Sequence, residues 1–308
     1  MLRKWLKPPY NIDGWRFDVA DVFARNDEIQ LAHEIWPEIR RCIREENEQA
    51  YILAEDWGDC AGYLQGREWD SPMNYYGCAR VIRQFAGLPD LFLERNEILR
   101  RVPYRMTAED VKGRVMEHLA KLPFVIWQNQ FNLIDSHDVS RMHNHKSVHP
   151  QIYRGAVILQ FVLIGAPSIY YGDEVGIDGW TESTEGFRFP MPWSKDYESL
   201  DTYRLYRTLA HLKKEKAALC EGGFKFLYAQ GETVVVARFD EDEALLAVVT
   251  VSKEDERIVL PIGSIGAVMP EDGRDVFGEK LDYTRIDDRN IKLKVEARKA
   301  YLIDCRVS

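Results

Sequence analysis

Two hydrophobic textures alternate along the first 220 positions. Short apolar runs end in polar or acidic residues, and longer stretches with apolar positions three and four apart separate them. The first run is Asp13-Gly14-Trp15-Arg16-Phe17-Asp18-Val19-Ala20, which predicts a buried strand. Side chains alternate along a strand, so Gly14, Arg16 and Asp18 fall on one face and Trp15, Phe17 and Val19 on the other. A helix is predicted from about Asp27 to Gln49, with Ala32, Ile35, Trp36, Ile39 and Ile43 on its apolar face, Asn26 as N-cap and Pro37 as a possible kink. Ala50–Glu55 is the next strand, and Ser71–Tyr76 is a weaker one followed by a loop-rich stretch. A helix around Ala108–Lys121, a strand Asn132–Asp138, a helix over Gln151–Leu163, a strand Pro167–Glu174, a polar loop and a helix Leu200–Lys216 complete five β/α units.

From Gly222 the pattern changes to short alternating β-branched runs. These are Phe224–Tyr228, Thr233–Arg238, Ala244–Ser252, Arg257–Pro261, Lys292–Glu296 and Lys299–Ile303. They predict a small antiparallel β-sandwich, with the boundary near Cys220–Gly223, hence domains at 1–220 and 221–308. Strands with apolar residues on both faces, separated by helices, imply a parallel sheet covered by helices. Polar residues at the C-terminal end of each strand point to a (β/α)8-type barrel, whose active site sits at that face. A doubly wound sheet is the alternative, but no glycine-rich phosphate loop follows any strand.

Composition narrows the function classes. The 308 residues carry a net charge of −9, which argues against a nucleic-acid partner. Neither a membrane-length apolar run nor the apolar core of a signal peptide is present. The five cysteines, odd in number and without a CxxC, favour reduced thiols and a cytoplasmic location. His143, His145 and His149 form H-x-H-x3-H, read as an exposed loop; no metal and no cofactor is expected. Asp173 and Glu174 read mainly as structural, His211 as a surface residue and Asp240–Glu243 as a solvated turn. Asn74, Tyr75 and Tyr76 line the pocket or pack in the core.

Three acids stand at predicted strand ends: Asp18, Glu55 and Asp138. Carboxyls on neighbouring strand tips can approach to about 5–5.5 Å, the separation of a retaining glycosidase. Arg16, two residues before Asp18, either forms a structural ion pair with it or keeps it ionised as a nucleophile. Glu55, beside Trp57 and with no cation adjacent in sequence, suits a general acid/base. Asp138 suits stabilisation of positive charge on a sugar ring.

Asp13–Ala20, Leu53–Asp59 and Ile134–Arg141 resemble three ordered motifs of the α-amylase family, glycoside hydrolase family 13, in the flavour of its neopullulanase, cyclomaltodextrinase and maltodextrin glucosidase members. Gly165-Ala166-Pro167, Tyr171–Glu174 and Arg188 with Pro190-Met191-Pro192-Trp193 add to the likeness. The resemblance implies a retaining hydrolase of α-glucans: Asp18 as nucleophile, Glu55 as acid/base, Asp138 as transition-state stabiliser, Arg16 orienting Asp18 and His137 bonding sugar hydroxyls. The family's first motif, on its third barrel strand, has no counterpart here. The expectation is therefore a partial barrel of strands four to eight followed by the sandwich. Its open edges, Ile12–Ala20 and Ser168–Tyr171, would drive homodimerisation or pairing with a chain that supplies the missing strands. A catalytically silent fragment or subunit that binds glucan is the alternative function.

Overall fold

The structure, a computed structural model, describes residues 1–92, 105–179 and 187–308. Parts of the stretch after Tyr76 and of the polar loop after Glu174 lie outside these residues.

Strands Gly14–Phe17, Tyr51–Ala54 and Ser71–Pro72 form one parallel sheet in that order. A bridge between Met73 and Phe131 carries the order on to a second parallel pair, Phe131–Asn132 with Ala166–Pro167. The five strands are thus spatial neighbours in chain order. Among the described residues Gly14–Phe17 pairs on one side only, with Tyr51–Ala54, and Ala166–Pro167 only with Phe131–Asn132. A Cβ on Gly14 would lie 2.3 Å from Tyr51 O, so glycine is what lets the first two strands meet here.

Several expectations are corrected. The first strand is half-buried along its length rather than buried, because it is an edge strand. Val19, expected on its apolar face, has a positive φ and is exposed, since the strand has ended two residues earlier. The helix expected from Asp27 begins at Ala32 and ends at Arg44. Residues 24–30 instead form a hairpin, Arg25–Asn26 against Ile29–Gln30, with left-handed Ala24 just before it and left-handed Asp27 in its turn. Leu31, not Asn26, is its N-cap residue, and the helix runs through Pro37. Ser71–Pro72 leads not into more strand but into a π-helical turn, Tyr75–Ala79, then a helix, Arg80–Phe85. The strand expected over Asn132–Asp138 stops at Asn132, and the one over Pro167–Glu174 at Pro167. Beyond these points the backbone turns away to present the polar ends as loops.

The later helices follow the predicted periodicity: Ala108–Ala120, Pro150–Val162 and Asp201–Glu215. Ala108–Ala120 starts on a complete capping box, Thr107 with Asp110, which satisfies two of its otherwise orphaned donors.

The C-terminal residues form a five-stranded antiparallel sheet packed against a three-stranded one. Period-2 alternation divides its side chains between two cores. Val235, Ala237, Leu246 and Val248 face the smaller sheet, while Val234, Val236, Leu245 and Val249 pack against the helix Pro150–Val162. Gly155 sits at that contact, where a Cβ would lie 2.7 Å from Val249 Cγ1. Two short strands, Ala267–Val268 and Tyr283–Arg285, escaped the sequence pattern. All five cysteines are free. Among the described residues no helix is long and apolar enough to cross a membrane.

Candidate active site

The first, second and fourth parallel strands deliver Asp18, Glu55 and the Ser136–Asp138 segment to one end of the sheet. Asp18 follows directly on Phe17, and its side chain is 74% exposed. Arg16 contacts it, and that charged hydrogen bond holds the Asp18 carboxyl below the usual carboxylate range. The same guanidinium reaches Glu55 Oε2 at 3.0 Å and Met73 Sδ at 3.6 Å. One side chain therefore ties together the ends of three neighbouring strands.

This corrects the reading of Glu55. No cation neighbours it in sequence, yet Arg16 lies against it in space. Val19 N–H donates to Oε2 at 3.0 Å and Trp57 Nε1 donates to Oε1 at 3.2 Å. Glu55 is 8% exposed, against the open position of Asp18.

Asp138 is reached from the other side. His137 Nε2 lies 3.1 Å from its Oδ2 and Arg188 Nη2 lies 3.3 Å from its Oδ1. Arg188 Nε also donates to His137 O at 3.2 Å. Ser136 Oγ accepts from Asp138 N at 3.1 Å and from the buried Tyr75 hydroxyl at 2.9 Å. Tyr75 stacks on Trp57 with centroids 4.2 Å apart, so an aromatic pair links the Glu55 and Asp138 sides. His137 also bears electrostatically on Asp18, which closes the ring of groups. All five residues singled out by sequence, Asp18, Glu55, Asp138, Arg16 and His137, are brought together. The contact of Arg188 with Asp138 is not legible from the Arg188 motif, because it joins segments 50 residues apart.

The three histidines do not share a site. His143 and His145 are half-buried rather than on an exposed loop, and only His149 is exposed. His143 stacks edge-on with Tyr153, and burial lowers its pKa. His145 pairs with Ser140 Oγ at 2.6 Å, and His149 Nδ1 caps the helix Pro150–Val162. Asp135, His143 and Asp173 each bring one donor atom within 4.8 Å of the others. Both carboxylates are already neutralised, Asp135 by Arg83 and Asp173 by Arg141, each at 2.5 Å. A divalent ion would add uncompensated positive charge to a buried, balanced cluster, so this set does not fit one. Asp173 is a fully buried ion-pair partner, and losing Arg141 alone would leave it uncompensated at about 3–5 kcal/mol. His211, beside Glu215, is exposed, and Asp240 Oδ1 accepts from the Asp242 and Glu243 amides in a simple turn.

Comparison with known proteins fits this geometry. The family described as "Alpha amylase, catalytic domain" matches residues 1–217. A cyclomaltodextrinase from Bacillus sp is 33% identical over 239 residues, covering 78% of this chain and 38% of that protein. Neopullulanase 2 from Thermoactinomyces vulgaris is 29% identical over 298 residues, covering 96% of this chain and 45% of that protein. The native form of the Nostoc punctiforme debranching enzyme aligns with a TM-score of 0.78 at 27% identity, covering 98% of this chain and 60% of its own. The chain thus spans less than half the length of these two curated relatives. With the family pattern running through 217 residues and the strand-end acids gathered at one site, the chain belongs to the α-amylase family.

Proposed function

We propose that this chain carries the catalytic residues of a retaining glycoside hydrolase that cleaves α-glucosidic bonds of maltodextrins, cyclodextrins or pullulan-type glucans. The carrying observation is that one guanidinium, Arg16, contacts both the exposed carboxylate of Asp18 and the enclosed carboxyl of Glu55. Two carboxyls of unlike environment on adjacent strand ends suit a division of labour between nucleophile and acid/base. Asp18 attacks the anomeric carbon while Glu55 protonates the departing oxygen. Glu55 then takes a proton from water, which releases the sugar with its configuration retained. Asp138 opposes the positive charge that develops on the ring, and His137 bonds a sugar hydroxyl. The names of the relatives, cyclomaltodextrinase and neopullulanase, support the substrate class.

The five sequential parallel strands are read as strands four to eight of a (β/α)8 barrel within residues 1–220, with 221–308 as a C-terminal β-sandwich domain. Free cysteines support a cytoplasmic location. Apolar side chains stand exposed just beyond both edge strands: Val19, Val22 and Phe23 at one, Ile169 and Tyr171 at the other. An unpaired strand edge beside such surface is a template for another chain. The 308-residue chain is therefore expected to form a homodimer, or to bind a chain that supplies further strands, through this side. Light scattering at micromolar concentration checks this, and a stable monomer that binds no hydrophobic dye rules it out.

The exposure of Asp18 favours a second reading, a silent subunit that binds glucan without cleaving it. One experiment separates the two. The purified chain is incubated with maltotriose and with p-nitrophenyl maltoside, and the first-formed anomer is followed by NMR. Turnover above a Glu55→Gln control with the α-anomer first is expected. The β-anomer first rules out retention, and no turnover above the control leaves the silent subunit.

A further inference from the structure

Arg83 lies in the helix Arg80–Phe85 among Val81, Ile82 and Phe85, and is 1% exposed. A guanidinium taken out of water needs partners that offset its desolvation. Its Nη1 donates to Ile134 O at 3.2 Å, to Asp135 Oδ1 at 2.5 Å and to Ser140 O at 3.1 Å. Asp135 in turn accepts from Met142 N with both oxygens, at 3.1 and 3.0 Å. These partners stand at the two ends of the segment that carries His137 and Asp138. That segment has no helix or strand ladder to hold it. Its shape therefore rests on bonds from elsewhere in the chain, and Arg83 ties its two ends together.

We propose that Arg83 is a positioning residue for Asp138. It touches no substrate; it sets the curve of Ile134–Ser140 so that the Asp138 carboxylate meets the sugar ring. This rests on the reading of Asp138 as the stabilising carboxylate. Arg83 also offsets the burial of the Asp135 carboxyl, which desolvation pushes above the usual carboxylate range. All three acceptors meet one nitrogen, Nη1, at the far end of the guanidinium. Lysine keeps the charge, but its ammonium ends at a shorter reach, so it can keep those bonds only by drawing the segment out of place. A misplacement of the order of 1 Å in such a group costs about 100-fold in rate.

The test uses the full chain with Arg83→Lys, and with the pair Arg83→Met/Asp135→Asn, which leaves neither charge buried alone. Both variants are expected to fold and to lose about 100-fold in kcat with KM little changed. The loss should be equal on maltotriose and p-nitrophenyl maltoside, as for Asp138→Asn, because ring charge develops whatever the leaving group. In an Asp138→Asn background, Arg83→Lys should cost nothing further, since the two act through one interaction. A merely structural arginine would lower the melting temperature while the folded fraction keeps its kcat, or would add its loss in full to that of Asp138→Asn. Either result overturns the proposal.

If the unmodified chain turns over neither substrate, the catalytic reading fails separately, and affinity for the cationic sugar mimic 1-deoxynojirimycin replaces kcat. Asp138→Asn and Arg83→Lys should then weaken binding alike. Binding unaffected by Arg83→Lys, or by Asp138→Asn, overturns the proposal.

Discussion

Asp18→Asn is expected to abolish turnover, with a loss of about 10⁴-fold or more, because an amide cannot form the covalent glycosyl ester. The effect should fall on every substrate, since each passes through the same intermediate. A 2-deoxy-2-fluoro α-glucosyl fluoride should label the unmodified chain on the peptide that contains Asp18, and mass spectrometry of the digest reads the site. Arg16 makes Asp18 the candidate for attack, since its hydrogen bond keeps the carboxyl charged over a wide pH range. The substitution also frees one arm of that guanidinium, whose other arm still bonds Glu55. The variant should therefore stay folded. Label found on Glu55 or Asp138 would reverse the assignment.

Glu55→Gln is expected to lower turnover of maltotriose by about 10²–10⁴-fold, the usual contribution of a general acid. Its effect on p-nitrophenyl maltoside should be far smaller in the first step, because nitrophenolate departs without a proton. Added azide, a nucleophile that needs no general base, should restore the second step and carry the glycon off p-nitrophenyl maltoside as maltosyl azide. Both oxygens of Glu55 accept hydrogen bonds, from Arg16, Val19 N–H and Trp57. Glutamine keeps one acceptor: with its oxygen in the Oε2 place it retains Arg16 and Val19 N–H and turns its NH2 toward Trp57 Nε1, so the variant loses that one hydrogen bond besides the proton. Equal losses on both substrates, with no azide rescue, would remove Glu55 from the acid role.

Much of the architecture is written in local pattern. Near-continuous apolar runs, buried on both faces, mark Thr233–Phe239 and Glu243–Thr250, and periodicity places the helices Pro150–Val162 and Asp201–Glu215 within a residue of their expected bounds. Burial on one face imposes these periods, so they can be read without knowing what the face packs against. Asp18 and Glu55 are legible for a similar reason, because a charge closing an apolar run marks where the strand leaves the core; Asp138 instead stands on a loop beyond Asn132.

Where an element starts is less legible. The helix at Ala32 starts late because a hairpin with left-handed Ala24 and Asp27 intervenes, and neither residue type announces such a turn. Pairings between distant segments decide the rest. Arg16 lies two residues from Asp18 but 39 from Glu55, and only parallel pairing of Gly14–Phe17 with Tyr51–Ala54 brings it to both. Arg188 reaches Asp138 across 50 residues, and Arg83 reaches Asp135 across 52. A lone arginine in the apolar run Val81–Phe85 does signal that a buried partner exists, because an unpaired charge there is too costly. Spacing along the chain cannot name that partner. The sequence by itself therefore determined the β/α order, most of the sandwich strands and that Asp18 and Glu55 end strands; the tertiary structure alone decided which cation serves which acid, since that follows from strand neighbours and helix packing rather than from any local period.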